Sequence, residues 1–154
     1  LFLDLDVVIV DNIDCFFQEK GEFLIIHDWK RPWRITGNSS VYRFKLGAFP
    51  DLLPYFRKHF DEIRQKFRNE QAYLSWFVNE HGTLTYWNDT WCKSYKYHCL
   101  QKIPLAYFKP PVKPEGAKII IFHGEINPPD AVNGGGGKWY RYVLPSDWIK
   151  EAWQ

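Results

Sequence analysis

Four short clusters in the chain carry side chains able to do chemistry. The first is the pair Asp4 and Asp6 in the opening run LFLDLDVVIV. In an extended strand, residues i and i+2 share a face, so both carboxylates project together with Leu5 opposite. Paired carboxylates repel, and burial adds to the cost. A divalent cation relieves both, and hard ions such as Mg²⁺ or Mn²⁺ take one or two carboxylates together with phosphate oxygens. The pair would serve equally as strand-end caps or salt-bridge partners. The second cluster is His123-Gly124, closing KIIIFHG. A neutral imidazole where a buried strand emerges can ligate Mn²⁺ or Zn²⁺, or be an ordinary hydrogen-bonded histidine; Gly124 would let a phosphate approach the backbone. Third is Gly37-Asn38-Ser39-Ser40, leading into VYRFKLG, whose small polar groups suit sugar hydroxyls or a diphosphate and are also common in turns. Fourth is Asn69-Glu70-Gln71, where Glu70 can act on a ligand or simply favour a helix N-terminus.

These clusters need elements to hold them. Residues 1–10 read as one strand, apolar on both faces through Val7-Val8-Ile9-Val10, as in a covered central strand. A turn and a short helical stretch follow over 11–18, with Asp11 or Asn12 as N-cap. Further strands are predicted at 22–28, 41–46, 83–87 and 118–123. Leu52, Leu53, Phe56, Phe60, Ile63 and Phe67 recur at helical spacing, with Pro54 in the first turn. A second helix is predicted over 70–79, stopped by Gly82. Residues 88–114 read as irregular, with four prolines after Lys102, and 134–137 as a glycine loop. Ser146-Asp147 can cap a last helix carrying Trp148, Ile149 and Trp153. Alternating strands and helices imply an α/β sheet. Neither repeats nor a domain boundary show in the pattern, so residues 1–154 read as a single domain.

Taken in order, the clusters form a pattern: an apolar strand with D-L-D, then N-S-S, then an acid-Gln pair opening a helix, then F-H-G. The pattern resembles the catalytic part of a GT-A fold glycosyltransferase, and is most similar to glycosyltransferase family 8 and related bacterial sugar transferases. DLDVVIVDNIDCFF is especially like that family's D-x-D segment, and the likeness runs from Leu1 to about Pro129. It implies a GT-A-like mixed sheet flanked by helices and incomplete at its N-terminus, because the nucleotide-binding half of the sheet would precede D-x-D. The absence of any methionine and the start on Leu1 fit the same reading of a fragment.

The resemblance implies transfer of a sugar from a nucleotide diphosphate sugar to a glycan or other hydroxyl acceptor, with retention at the anomeric carbon suggested by the family alone. Asp4, Asp6 and His123 would hold the metal, Mn²⁺ by resemblance with Mg²⁺ as the variant, and Asp4 could instead reach the ribose. Asn38, Ser39, Ser40 and Gly124 would contact the donor, and Glu70 and Gln71 would be the catalytic pair orienting its sugar. The chain departs from the pattern at three places. Ser40 stands for the glycine of N-S-G, Ala72 for the second acid of D-Q-D, and Asn127 where a diphosphate-touching lysine would be; Lys138 or Lys118 are the candidate substitutes.

Composition sets the outer limits. Net charge is +2 from 20 Lys and Arg against 18 Asp and Glu, with the signs interspersed, which lacks the basic stripe of a nucleic-acid binder. Cys15, Cys92 and Cys99 are odd in number and widely spaced, against a disulfide framework or a zinc site and in favour of a reducing, cytoplasmic compartment; the resemblance adds the inner membrane face as a location. No apolar run approaches the ~20 residues of a membrane span. Two rival readings use the same residues. One is a haloacid-dehalogenase-like phosphatase, in which Asp4 would be the nucleophile, although Val7-Val8 follows where Gly-Thr is usual. The other is a carbohydrate-binding module using Trp29, Trp33, Trp87, Trp91 and Trp139 as stacking faces or core fillers.

Overall fold

A computed structural model describes residues 1–135 and 142–153. The chain is mixed α/β and divides into two compact units: residues 1–3 with 16–87, and residues 4–15 with 88–154. Each unit has its own mixed sheet flanked by helices.

In the first unit the sheet contains β1 (Phe2–Leu3), β3 (Phe23–His27), β4 (Gly37–Phe44) and β5 (Leu84–Tyr86), in the order β1-β4-β3-β5. β4 is antiparallel to both neighbours, and β3 runs parallel to β5. Phe23 to Ile26 are all buried, as expected of a central strand apolar on both faces. Helices α2 (Leu52–Lys58), α3 (Phe60–Lys66) and α4 (Glu70–His81) supply the other layer. The continuous helix predicted from the Leu52–Phe67 pattern is broken at His59, which leaves helical angles at φ −113°, ψ 29°. Its ring stacks on Tyr55 at 4.4 Å and its Nδ1 meets the Glu62 carboxylate at 3.2 Å. Past the break, Ile63 still packs with Tyr73 and Phe77 of α4 in one cluster ringed by Leu52, Phe56, Phe67 and Trp76.

Asn69 caps α4, its Oδ1 accepting from the Ala72 N–H at 3.2 Å. Gly82 ends the helix as predicted, but in extended backbone at φ −172° instead of the left-handed form. Its requirement is space: a Cβ there would lie 2.9 Å from Phe49 Cε1. Gly82→Ala is expected to cost about 1 kcal/mol, since one phenyl edge has to yield; a denaturation midpoint left unchanged would show that Phe49 yields freely.

The second unit is built on β2 (Val7–Ile9), β6 (Cys92–Ser94) and β7 (Ile119–Ile121), in the order β2-β7-β6. β7 is antiparallel to β2 and parallel to β6. Its three isoleucines are fully buried, which explains the apolar run of KIIIFHG. A π-helical turn at Tyr95–Cys99, a 3₁₀ turn at Leu105–Tyr107, α5 (Pro128–Asn133) and α6 (Asp147–Ala152) complete the unit. Tyr95, Phe122, Ile120, Val143 and Ile149 share its core, and the Tyr95 hydroxyl hydrogen-bonds the buried Ser146 hydroxyl at 2.9 Å. The remaining helix, α1 (Cys15–Gln18), falls inside the predicted 11–18 stretch. None of the three cysteines is in a disulfide; burial pushes the Cys99 thiol up to about 12 and raises that of Cys92 further. Among the described residues no helix is long and apolar enough to cross a membrane.

Residues 1–10 do not form the single strand predicted. Asp4-Leu5-Asp6 is a turn that separates β1 of one sheet from β2 of the other. Leu5, expected opposite the acids on a covered strand, is fully exposed. Equally, Asn38-Ser39-Ser40 does not lead into a strand but lies inside β4, which begins at Gly37.

Candidate functional site

The two strands β6 and β7 run parallel and in register, with Ser94 beside Ile121. Their carboxyl ends coincide, a place where α/β proteins commonly bind ligands. Beyond them opens a cavity of about 630 Å³. The π turn and the chain after β7 supply its walls, including Tyr97, Lys96, Phe122, His123 and Glu125.

His123 is fixed in this wall. Its Nε2 lies 2.7 Å from Ser94 Oγ, and Ser94 is completely buried at the end of β6. The same hydroxyl oxygen accepts from the Tyr97 N–H at 3.3 Å, capping the π turn. Tyr97 in turn sets its ring 5.0 Å from the imidazole. Ser94 thus holds the ring through Nε2 and orients it. Gly124 follows at φ +96°, a left-handed conformation that side chains rarely adopt. His98, one turn away, accepts from the Ser94 N–H through Nδ1 at 3.0 Å, and burial lowers its pKa.

Asp6 lies at the same end of this sheet. β2 starts where β7 ends, and the Asp6 carbonyl accepts from the Phe122 N–H at 2.8 Å, next to His123. The side chain is half-buried, and its Oδ1 is enclosed with no hydrogen-bond partner among the described residues. Burial, and secondarily the charge of Asp4, raises the pKa of the Asp6 carboxyl. Asp4 itself is exposed and accepts from the Leu5 N–H at 2.8 Å. The predicted proximity of two acids therefore holds electrostatically, although the turn, and not a strand's alternation, produces it. Among the described residues no three His, Cys, Asp or Glu side chains converge closely enough to form a ready metal cage.

The other predicted residues assemble in the first unit. Ser39 Oγ donates to a Glu70 carboxylate oxygen at 2.5 Å, and the Ser39 N–H points to Gln71 Oε1 at 3.4 Å. Asn38 Oδ1 accepts from the Ser40 N–H at 3.0 Å. The Gly37 N–H donates to Ser75 Oγ at 2.9 Å, and Ser75 donates to the Gln71 carbonyl at 2.7 Å. Two clusters 30 residues apart in sequence thus meet as β4 packs on α4. Tyr42 stands in the same neighbourhood: burial, then the charge of Glu70, raises its phenol pKa.

Of the substitute lysines, Lys118 pairs with Asp11 at 2.9 Å, at the start of β7 and so away from His123. Lys138 lies outside the described residues, as does Trp139. Among the tryptophans weighed as sugar platforms, Trp87 is buried and donates its indole N–H to the Val41 carbonyl at 3.1 Å, so it fills the core. Trp33 is exposed, and Trp29 and Trp91 are half-buried.

Residue patterns left several features unread. β6 has only three residues and no hydrophobic run, and nothing in Cys92-Lys93-Ser94 announces a strand. The role of Ser94 depends on its parallel neighbour, so it was equally hidden. α5 did have a local signal: Asn127 precedes Pro128 and Pro129, and the Asp130 carboxylate accepts from the Asn127 N–H at 2.9 Å. Comparison with known protein families, curated proteins and solved structures finds no match to the chain in any of the three.

Proposed function

We propose that the chain is part of a metal-dependent glycosyltransferase of GT-A type, moving a sugar from a nucleotide diphosphate sugar to a hydroxyl acceptor. One observation carries this reading: Asp6, with an enclosed carboxylate oxygen that no described residue satisfies, is hydrogen-bonded through its backbone to the residue before His123. A bound cation would satisfy such an enclosed carboxylate oxygen. A carboxylate-imidazole donor set suits Mn²⁺, with Mg²⁺ favoured more by the carboxylates than by the ring. Asp6 and His123 would hold the ion, with Asp4 adding charge from the exposed side. When bound, the ion would neutralise the diphosphate and favour its departure as a leaving group.

The chain's own residues would do the remainder by positioning. Ser94 fixes the plane of the His123 ring, and Tyr97 packs against it. Within the first unit, taken by itself, Glu70 and Gln71 hold Ser39 at its hydroxyl and its backbone. A phosphatase with Asp4 as nucleophile is less well supported, because Asp4 is exposed and lies between β1 and β2, with Val7-Val8 after the pair instead of Gly-Thr.

Calorimetric titration of the full chain with a panel of nucleotide diphosphate sugars, with and without Mn²⁺, tests the proposal. Mn²⁺ is expected to strengthen binding, and His123→Ala should weaken the Mn²⁺-dependent binding more than about tenfold. Binding of no member of the panel, or Mn²⁺-independent binding untouched by the substitution, would overturn it.

A further inference from the structure

The cavity at the carboxyl ends of β6 and β7 has an electrostatic character that the sequence pattern does not reveal. Three lysines line it: Lys96 from the π turn, Lys102 from the following loop and Lys109 from beyond the 3₁₀ turn. Among the described residues Glu125 is the one acidic residue on the same wall. The lysines come from separate short elements, yet they border one opening. Among the described residues none of the three has an ion-pair partner, whereas Lys118 and Lys45 each face a carboxylate. Lys96 leans over the Tyr97 ring, with Nζ 5.7 Å from its centroid.

Three lysines against one carboxylate leave an excess of positive charge around a concavity, which focuses its field. An anion offsets that excess as it binds. Lysine is a point-charge phosphate binder that does not demand planar, bidentate geometry. Beside the lysines stand exposed aromatic faces: Tyr97, and Tyr142, which stacks on Tyr107 at 5.9 Å. Such faces accept a sugar or base ring. The volume, about 630 Å³, suits a ligand of one or two rings with its phosphates.

We propose that this cavity binds a phosphate-bearing ring compound, with Lys96, Lys102 and Lys109 facing the phosphate and Tyr97 and Tyr142 facing the ring. The inference deepens the glycosyltransferase reading and rests on it for the ligand's purpose, but its charge argument does not involve the metal. It gives the cationic role that the resemblance expects at Asn127 to Lys96, Lys102 and Lys109. The phosphate compound could be the nucleoside diphosphate of the donor or a phosphorylated sugar serving as acceptor; both present a phosphate and a ring.

Metal-free titrations in EDTA separate this idea from the previous one. Inorganic pyrophosphate, a nucleoside diphosphate and a hexose phosphate serve as probes for the full chain and for the variant Lys96→Ala/Lys102→Ala/Lys109→Ala. Pyrophosphate should bind, and the triple variant should bind it at least about tenfold more weakly. One of the two ring compounds should bind more tightly than pyrophosphate, and which one does so identifies the source. Lys58→Ala, on α2, is the control for loss of charge alone and should leave binding unchanged. Pyrophosphate binding that is absent, or equal in the triple variant and the full chain, would overturn the proposal. Metal-free, lysine-dependent binding combined with no Mn²⁺ effect on any nucleotide sugar would uphold the anion site and defeat the glycosyltransferase reading.

Discussion

Asp6→Asn is expected to stabilise the chain at neutral pH in metal-free buffer and to abolish its stabilisation by Mn²⁺. The first half follows from linkage. The Asp6 pKa is raised above its ordinary value of 3.8, by burial first and by Asp4 second. Below 3.8 the carboxyl is protonated in both folded and unfolded chains and contributes no pH dependence. Between 3.8 and the folded value, the folded chain keeps the proton that the unfolded chain has released, so stability falls as pH rises. Above that window the full penalty of an ionised, half-buried carboxylate remains. Asparagine has no charge to desolvate, so its advantage should grow from acid to neutral pH and then level off. Solvent around the half-exposed side chain screens the effect, which makes its sign and pH course the diagnostic features.

The second half carries the larger shift. A cation that binds only the folded chain adds about 2.7 kcal/mol at a hundred times its dissociation constant. Thermal melts with and without Mn²⁺ should therefore separate strongly for the native sequence and coincide for Asp6→Asn. If both chains shifted equally, the metal would be binding elsewhere. If neither shifted, the enclosed Asp6 oxygen would need another explanation.

This site was partly legible in the sequence, for reasons the fold makes clear. Residue type survives rearrangement better than periodicity does. An acid in an apolar run is costly where the run is buried, so Asp6 stands out even though the run is broken by a turn that exposes Asp4. The strand was misread because LFL and VVIV are both β-formers, and nothing local tells one interrupted run from one continuous run. Only the pairing of Phe2 with Tyr42, and of Val7 with Ile121, separates them into two sheets. The Ser39-Glu70-Gln71 association was hinted at by motif order alone; the contact itself needs β4 to pack on α4. The lysines of the cavity were unreadable, because Lys96, Lys102 and Lys109 follow no shared period and their convergence comes from irregular turns.

Gly37→Ala supplies a test in which two principles predict opposite signs. In the sequence Gly37 resembles a turn glycine, and its φ is not in the left-handed region. On that view alanine would restrict the unfolded chain and stabilise by about 0.4–1 kcal/mol. The packing indicates otherwise. A Cβ on Gly37 would fall 2.6 Å from Ile25 Cγ2 and 2.9 Å from both Cγ1 and Cδ1. Ile25 is fully buried between β4 and β5, so it has no room to retreat. Overpacking of this kind costs about 1–3 kcal/mol, which outweighs the entropy gain. The strain would also push the Gly37 N–H from Ser75 and loosen the approach of β4 to α4 on which Ser39 and Gln71 depend. Gly37→Ala should therefore lower the urea midpoint. Ile25→Ala should lower it by more, as a cavity of about 2–5 kcal/mol. The double variant should be more stable than the sum of the two losses predicts, since Ile25→Ala removes all three clashing carbons. A stabilising Gly37→Ala, or strictly additive losses, would mean that β4 is not seated against Ile25 as described.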